Sequence, residues 1–415
     1  MQQRRQLIPK SLLLGRKTDQ ATWVFGVGDI TCLAIFNTLK PVTVSPIDIH
    51  PEAAQIVKSL PGSQTAIVQG PEGRLFIQKN GRLPHLLADQ ILVKVIAVAL
   101  NPCDYKMAER FPSPGATDGC DFSGTVVGVG IDAAQSNKFR LGDRVFGAVH
   151  GSNPIDHQSG SFAEYVVVDA GFLFYTPSNI SNETAAGIGG TGLGTLGLAL
   201  FKSLALRGRP DKPVDNGDFV LVYGGATSVG TMAIQLLKLS GYRPIATCSP
   251  KNFDLVRSYG ADNVFDYSAP DVAESIKAYT KNTLNYALDI ITEVKTMKHC
   301  YGAIGRAGGK YTCLEKYPEH LHTRKTVTPD LVMGISILGK RIALDHGYGS
   351  DENLELREFG VEWYVTLQQL ISEGKLRPHP IKVLPGGFQG ILDGLSLLKS
   401  RTISAQKLVV EIAEA

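Results

Sequence analysis

The sequence predicts an α/β protein built from a β-rich part and a doubly wound parallel sheet, and three observations carry that prediction. Its 415 residues exceed what a single hydrophobic core usually organises. Between Gln64 and Val168 short apolar runs are cut every few residues by Gly, Pro and Asp, the punctuation of strands and turns. From Asp218 apolar strands alternate with helix-length segments, which requires a parallel sheet covered on both faces.

In chain order, Gln64 to Gln69 and Leu75 to Gln78 read as strands around a Gly70-Pro71-Glu72-Gly73 turn. Gln90 to Leu100 is a partly alternating strand ending at Asn101-Pro102, read here as a turn. Gly124 to Gly130, Arg144 to Ala148 and Phe162 to Val168 continue the β-rich part. Phe219 to Tyr223 is a continuous apolar strand, followed by a glycine turn and a helix over Ser228 to Leu239. Further strands are expected at Pro244 to Thr247, Asn263 to Phe265, Tyr286 to Ile291 and Gly309 to Leu314, with helices over Phe253 to Tyr259 and Ala273 to Tyr279. Beyond Lys340 the chain turns loop-like, forms one long helix over Glu358 to Ser372 and closes with a strand from Lys407. The economical organisation inserts a nucleotide-binding domain, residues 200–344, between residues 64–199 and 345–415 of the β-rich domain. Residues 1–63 are an N-terminal extension of unassigned role.

Forty-two Lys and Arg against 39 Asp and Glu leave a net charge of +3, too small to mark a nucleic-acid or anionic-membrane surface. Six cysteines without a C-x-x-C pair indicate neither a disulfide framework nor a zinc knuckle, and fit a reducing, cytoplasmic setting. No uninterrupted apolar run reaches the roughly 18 residues of a bilayer span. Asp29 breaks Ala21 to Phe36, and six glycines break Thr184 to Leu200. Arg4, Arg5, Lys10, Arg16 and Lys17 suggest a matrix-targeting presequence, but few serines and Pro9 favour a plain tail.

Val220 to Lys238 has the strand, turn and helix order of a dinucleotide-binding Rossmann unit. Gly224 and Gly225 permit the tight turn, and Gly230 lets the helix pack on the strand. The helix start, Gly225, Ala226, Thr227, Ser228 and Val229, offers N–H groups and a positive dipole end to a pyrophosphate. Thr227 stands where a glycine is expected nearest the phosphates. About twenty residues on, where an NAD enzyme carries an acid for the ribose hydroxyls, the chain reads Thr247-Cys-Ser-Pro-Lys-Asn. Ser249, Pro250, Lys251 and Asn252 supply a hydroxyl, a cation and an amide but no carboxylate. That set suits an adenosine 2′-phosphate, so NADPH is expected over NADH.

Asn101-Pro-Cys-Asp-Tyr-Lys, Asp121-Phe-Ser-Gly-Thr-Val-Val-Gly-Val-Gly, Leu141-Gly-Asp-Arg-Val-Phe-Gly, Gly160-Ser-Phe-Ala-Glu-Tyr and the Tyr223 to Gly230 turn follow in that order. Together they resemble the medium-chain dehydrogenase/reductase superfamily in its quinone-reductase and enoyl-reductase branch, over residues 64 to 412. Ala246 to Leu255, Val264 to Tyr267, Tyr279-Thr-Lys-Asn, Ala303-Ile-Gly-Arg-Ala-Gly-Gly, Pro318-Glu-His and Lys407-Leu-Val-Val narrow the resemblance. They are similar to the trans-acting enoyl reductases of fungal polyketide synthases. Those stand-alone proteins serve a synthase, or a synthase fused to a nonribosomal peptide synthetase, whose own enoyl reductase domain is inactive. The resemblance implies a GroES-like catalytic domain, a Rossmann NADP-binding domain, a monomer, and an acyl carrier protein as the partner that presents the substrate.

The resemblance also implies roles for residues. Cys103, Asp104, Tyr105 and Lys106 line the nicotinamide end, as do Leu314 and Glu315. Ala226 to Val229 hold the pyrophosphate, Ser249 to Asn252 the 2′-phosphate, and Tyr267 lies near the adenosine. Thr195 sits beside the nicotinamide. Gly190, Thr191, Gly192, Leu193 and Gly194, in a glycine-rich loop, face the substrate, as do Ile335, Ser336, Ile337, Leu338 and Gly339. Ser404 and Ala405 close the cleft. Where zinc-dependent members carry Gly-His-Glu this chain reads Cys120-Asp121-Phe122. Although Cys103 falls where a zinc cysteine can occur, His150 or His157 would have to complete the set, so a metal-free site is expected.

Reduction of an α,β-unsaturated thioester needs a hydride at the β-carbon, stabilised charge on the thioester oxygen, and a proton at the α-carbon. Lys106 is the expected electrostatic group, Thr195 the residue that orients the carboxamide, and Tyr105 or water the proton donor. A quinone or enone reductase shares every cofactor residue, and a non-catalytic dinucleotide-binding protein is the alternative of another class.

Overall fold

The computed structural model describes residues 24–27, 30–33, 56–57, 60–215 and 217–412. The chain divides into two units, Met1–Ile47 and Asp48–Ala415. In the first, Val24–Val27 pairs antiparallel with Ile30–Leu33. The basic stretch of residues 4–17 and most of the N-terminal extension lie outside the described residues.

Within the second unit the β-rich part forms one eight-stranded sheet. Leu173–Tyr175, Arg144–Ala148, Asp121–Val129, Gln90–Ala99, Lys407–Glu411 and Ile381–Leu384 lie side by side in that order. Ile56–Val57 pairs with Asp121–Val129, and Tyr165–Asp169 with Gln90–Ala99. Gln90–Ala99 is buried at every position except Lys94, which explains its blurred alternation. Phe122, Phe162, Ile391 and Leu408 share the core beneath it, each buried side chain of this size contributing about 1.5–3 kcal/mol. The C-terminal strand enters antiparallel with Val409 opposite Ala99, so the end of the chain completes a sheet begun some 300 residues earlier.

The second sheet has six parallel strands in the order Asn263–Asp266, Arg243–Cys248, Phe219–Tyr223, Tyr286–Asp289, Gly309–Cys313 and Val327–Leu331. Val220, Leu221 and Val222 are fully buried, as a strand covered on both faces requires. The order reverses between Phe219–Tyr223 and Tyr286–Asp289, the switch point beyond whose carboxyl ends such sheets bind ligands.

Several expected elements differ. Asn101-Pro102 opens a helix, Pro102–Arg110, because Asn101 and Asp104 form a capping box and proline suits the first helical position. The glycine-rich stretch at 184–195 is helical, as Asn182–Ile188 and Thr191–Gly197. Its glycines serve close packing: a Cβ on Gly197 would lie 2.4 Å from the Trp363 ring. The helical run Asn182–Ser203 is long and apolar enough to cross a membrane by length and composition, but 83% of its apolar window is buried inside the protein. The loop-like C-terminal region holds a further strand, Ile381–Leu384, and a helix, Gly387–Lys399. Gly334–Leu338 is a 3-10 turn, and Val327–Leu331 forms the edge of the parallel sheet.

Candidate active site

The strand Phe219–Tyr223 runs into Gly224, at φ +94°, and a Cβ on Gly230 would lie 2.3 Å from the Gly224 carbonyl oxygen. Both positions therefore need glycine. Thr227 caps the helix Ser228–Leu239: its hydroxyl accepts from Gly230 N at 3.0 Å and donates to Gly224 O at 2.8 Å. The residue that departs from the glycine pattern is thus the N-cap, and the first turn turns its amides and dipole end toward the crevice.

At the end of the neighbouring strand, Ser249 donates to the Tyr267 hydroxyl at 3.2 Å, and Asn252 Nδ2 donates to Ser404 Oγ at 3.0 Å. Lys251 is exposed beside them. Ser249, Lys251, Asn252, Tyr267 and Ser404 so come together from three parts of the chain. Ala405 follows with φ +55°.

The helix Pro102–Arg110 brings Lys106 to the far side. Its ammonium lies 3.1 Å from Glu315 Oε2, and the other oxygen takes Arg110 at 2.8 Å. The Tyr348 hydroxyl also donates to Glu315. Burial pushes the Glu315 carboxyl up, but Tyr348 and the Lys106 ammonium outweigh it and hold the group below the usual carboxylate range. Leu314 N donates to Thr292 Oγ1 at 3.2 Å, which fixes the segment leading to Glu315. Tyr105 is half-buried, and its hydroxyl makes no hydrogen bond among the described residues.

Thr195 is buried, and its hydroxyl donates to Thr191 O at 2.7 Å. Gly334 lies so near that a Cβ there would sit 2.1 Å from Thr195 Oγ1. Gly194 faces Ile337 and Gly192 faces Val229, so the Gly190–Gly194 and Ile335–Gly339 segments meet beside the Ser228–Leu239 helix.

A buried polar group at the centre escapes the sequence. Lys407 Nζ lies 3.2 Å from Asp121 Oδ2 and also donates to Asn101 Oδ1. Asn101 Nδ2 donates to Asp121 at 2.8 Å, and Asp121 Oδ1 accepts from Gly190 N at 3.0 Å and Thr191 N at 2.9 Å. Asn101, Asp121, Lys407, Ser228 and Val229 line one crevice. The signal available in the sequence was a charged residue opening each of two largely apolar strands, which signals pairing once both are buried.

Zinc-type ligands converge at one place among the described residues, where the ligand atoms of Cys103, Asp104 and Cys120 lie within 4.8 Å of one another. Asp104 Oδ2 already accepts from Asn101 N at 2.7 Å. His157 is paired with the Ser113 hydroxyl at 3.1 Å, and burial depresses His150 to about 4. With Lys407 seated on Asn101 and Asp121, the donor set does not fit a catalytic zinc with three free protein ligands.

Comparison with known proteins gives the family. The family patterns described as alcohol dehydrogenase GroES-like domain and zinc-binding dehydrogenase match residues 87–178 and 228–342. Trans-enoyl reductase ffsC of Aspergillus flavipes is 57% identical over 355 residues, covering 85% of this chain and 97% of its own. Trans-enoyl reductase ccsC of Aspergillus clavatus is 54% identical over 354 residues, with the same coverage. Among solved structures, the CurK enoyl reductase shares the fold with a TM-score of 0.65 at 19% identity, over 84% of this chain and 99% of that one. So does an alcohol dehydrogenase superfamily protein from Novosphingobium aromaticivorans, with a TM-score of 0.65 at 23% identity, over 85% and 100%. Identity this high over nearly the whole of both reductases carries the conclusion: the chain belongs to the trans-enoyl reductases of the medium-chain dehydrogenase/reductase superfamily.

Proposed function

We propose that this protein is an NADPH-dependent trans-acting enoyl reductase, a cytoplasmic monomer that reduces α,β-unsaturated thioesters carried on the acyl carrier protein of a polyketide synthase or its peptide-synthetase hybrid. The observation that carries the cofactor choice is the cluster of Ser249, Lys251, Asn252 and Tyr267 at the end of the second parallel strand. No carboxylate stands in the Ser249–Asn252 run to repel a 2′-phosphate.

Bound NADPH supplies the hydride. The capped start of the Ser228–Leu239 helix binds the pyrophosphate through its amides. Glu315 orients the Lys106 ammonium, whose side chain is 34% exposed, so that it can polarise the thioester carbonyl as charge develops there. Thr195 orients the carboxamide, and its hydroxyl oxygen can still accept while its proton is held by Thr191. Tyr105, with its free hydroxyl, or solvent returns the proton to the α-carbon.

The test is consumption of NADPH with an enoyl pantetheine thioester, compared with a quinone and with a free enone. Turnover of the thioester supports the proposal; turnover of quinone alone, or binding of NADPH without turnover, overturns it.

A further inference from the structure

We infer that Cys103 and Cys120 form a redox-responsive dithiol whose closure to a disulfide disables the nicotinamide end of the site, an inference that rests on the cofactor reading above. Cys103 lies in the first turn of the Pro102–Arg110 helix and is half-buried. Cys120 is buried just ahead of the strand Asp121–Val129. Both thiols are free, and their sulfurs lie within 4.8 Å of each other although 17 positions separate them in the chain. Cys248, Cys300 and Cys313, by contrast, sit in apolar core clusters, and burial pushes all three thiols up.

The two thiols have different characters. The Cys103 thiol is half-buried and donates to Asp104 Oδ1 at 3.7 Å, whereas Cys120 is buried. The contact between the two thiols lowers the Cys103 pKa against the opposing effect of burial, and the same contact and burial raise that of Cys120. Cys103, the more accessible of the two sulfurs, is therefore the thiol that meets the oxidant, and the buried Cys120 is the resolving thiol. With hydrogen peroxide as oxidant, the Cys103 sulfur attacks one peroxide oxygen and the O–O bond breaks. The other oxygen leaves as water with the thiol proton, and Cys103 becomes a sulfenic acid. The Cys120 sulfur then displaces the sulfenic hydroxyl, which leaves as a second water carrying the Cys120 proton. Two thiols are oxidised and one peroxide is reduced to two waters.

A disulfide needs its sulfurs about 2.0 Å apart, so closure must draw the first helical turn toward the sheet. That turn carries Asp104, which caps Asn101 N at 2.7 Å, and the same helix carries Lys106 with its partner Glu315. The group that polarises the substrate thus moves with the thiol.

The test treats the full-length protein with hydrogen peroxide, blocks remaining thiols by alkylation and maps peptides by mass spectrometry. We expect a linked Cys103–Cys120 peptide, weaker NADPH binding by fluorescence titration, and a turnover loss of about 10²-fold, the scale on which a misplacement of about 1 Å acts. Dithiothreitol should restore all three, and prior saturation with NADPH should slow the linkage. Cys120→Ser should bind NADPH like the parent but, once oxidised, should not form the linkage. No linked peptide, linkage without change in NADPH binding, or stoichiometric zinc that shields both thiols in the untreated protein would each overturn the inference. A protein with no affinity for NADPH before oxidation would instead defeat the cofactor reading, and the peptide map would still decide whether the thiols pair.

Discussion

Replacing Lys407 by methionine is the perturbation that most directly tests how the centre of the site is held. The Lys407 side chain is 7% exposed and that of Asp121 is 1% exposed, so solvent cannot replace the lost ammonium. Removing one partner of a buried pair costs about 3–5 kcal/mol, because the remaining charge stays buried without compensation. Asp121 keeps three donors, Asn101 Nδ2 at 2.8 Å, Gly190 N at 3.0 Å and Thr191 N at 2.9 Å. Hydrogen bonds to a charged acceptor contribute about 1.5–3 kcal/mol each. They cushion the loss, which places the expected cost of Lys407→Met near the lower limit, about 3 kcal/mol. Urea unfolding followed by circular dichroism measures it from the midpoint and slope. The variant Asp121→Asn leaves the opposite charge stranded. The double variant removes both charges and should cost less than the two single losses combined, with a coupling of about 2 kcal/mol. Asp121 Oδ1 also anchors the amides that open the Thr191–Gly197 helix, so Lys407→Met should raise KM for the enoyl thioester as well. A cost below about 1 kcal/mol, the range of exposed pairs, or strict additivity in the double variant would refute the reasoning.

The other predictions concern the two ends of the cofactor site, its packing and its acid response. Lys251→Glu should raise KM for NADPH by about tenfold or more while leaving KM for NADH nearly unchanged, since a carboxylate repels only the 2′-phosphate; steady-state kinetics with both cofactors decides it. Lys106→Ala should lower kcat on enoyl thioester by about 10²-fold, and Glu315→Gln should lower it less, because the ammonium remains but is no longer aimed; unchanged turnover in Lys106→Ala refutes the role. Gly334→Ala brings a methyl to within 2.1 Å of Thr195 Oγ1, an overlap worth about 1–3 kcal/mol of strain, and should reduce turnover together with melting temperature. Burial raises Asp118 from the ordinary 3.8 to about 7, although Ser152 donates to it at 2.5 Å. Its folded pKa exceeds its unfolded one, so the native state binds the extra proton between those values and loses stability as pH rises from about 4 to about 7. Asp118→Asn should flatten that slope, and urea midpoints across the range would show it.

Elements whose cause is local were legible in the sequence, and those decided by distant contacts were not. Phe219–Tyr223 and Ser228–Leu239 follow the expected limits, because a continuous apolar run, a glycine corner and a threonine cap all lie within twenty residues. Asn101-Pro102 shows the opposite case. Asn-Pro-x-Asp serves equally as a turn and as a capping box, and what fastens Asn101 here is Lys407, 306 positions away, with Asp121. The glycines at 187–197 misled for a related reason. Their number suggests a loop, yet Gly187 and Gly197 lack side chains because Ile381 and Trp363 fill that space from the far end of the chain. The buried Asn101, Asp121 and Lys407 group forms only when the last strand pairs with Gln90–Ala99 and sets Val409 opposite Ala99. That pairing must span the whole inserted parallel-sheet domain, so the crevice beside Ser228 and Val229 closes only after both sheets have formed. The charge that orders the Gly190–Thr191 corner is therefore a tertiary product: a lysine opening a short strand signals that it needs a partner, but its partners Asn101 and Asp121 lie 306 and 286 positions away.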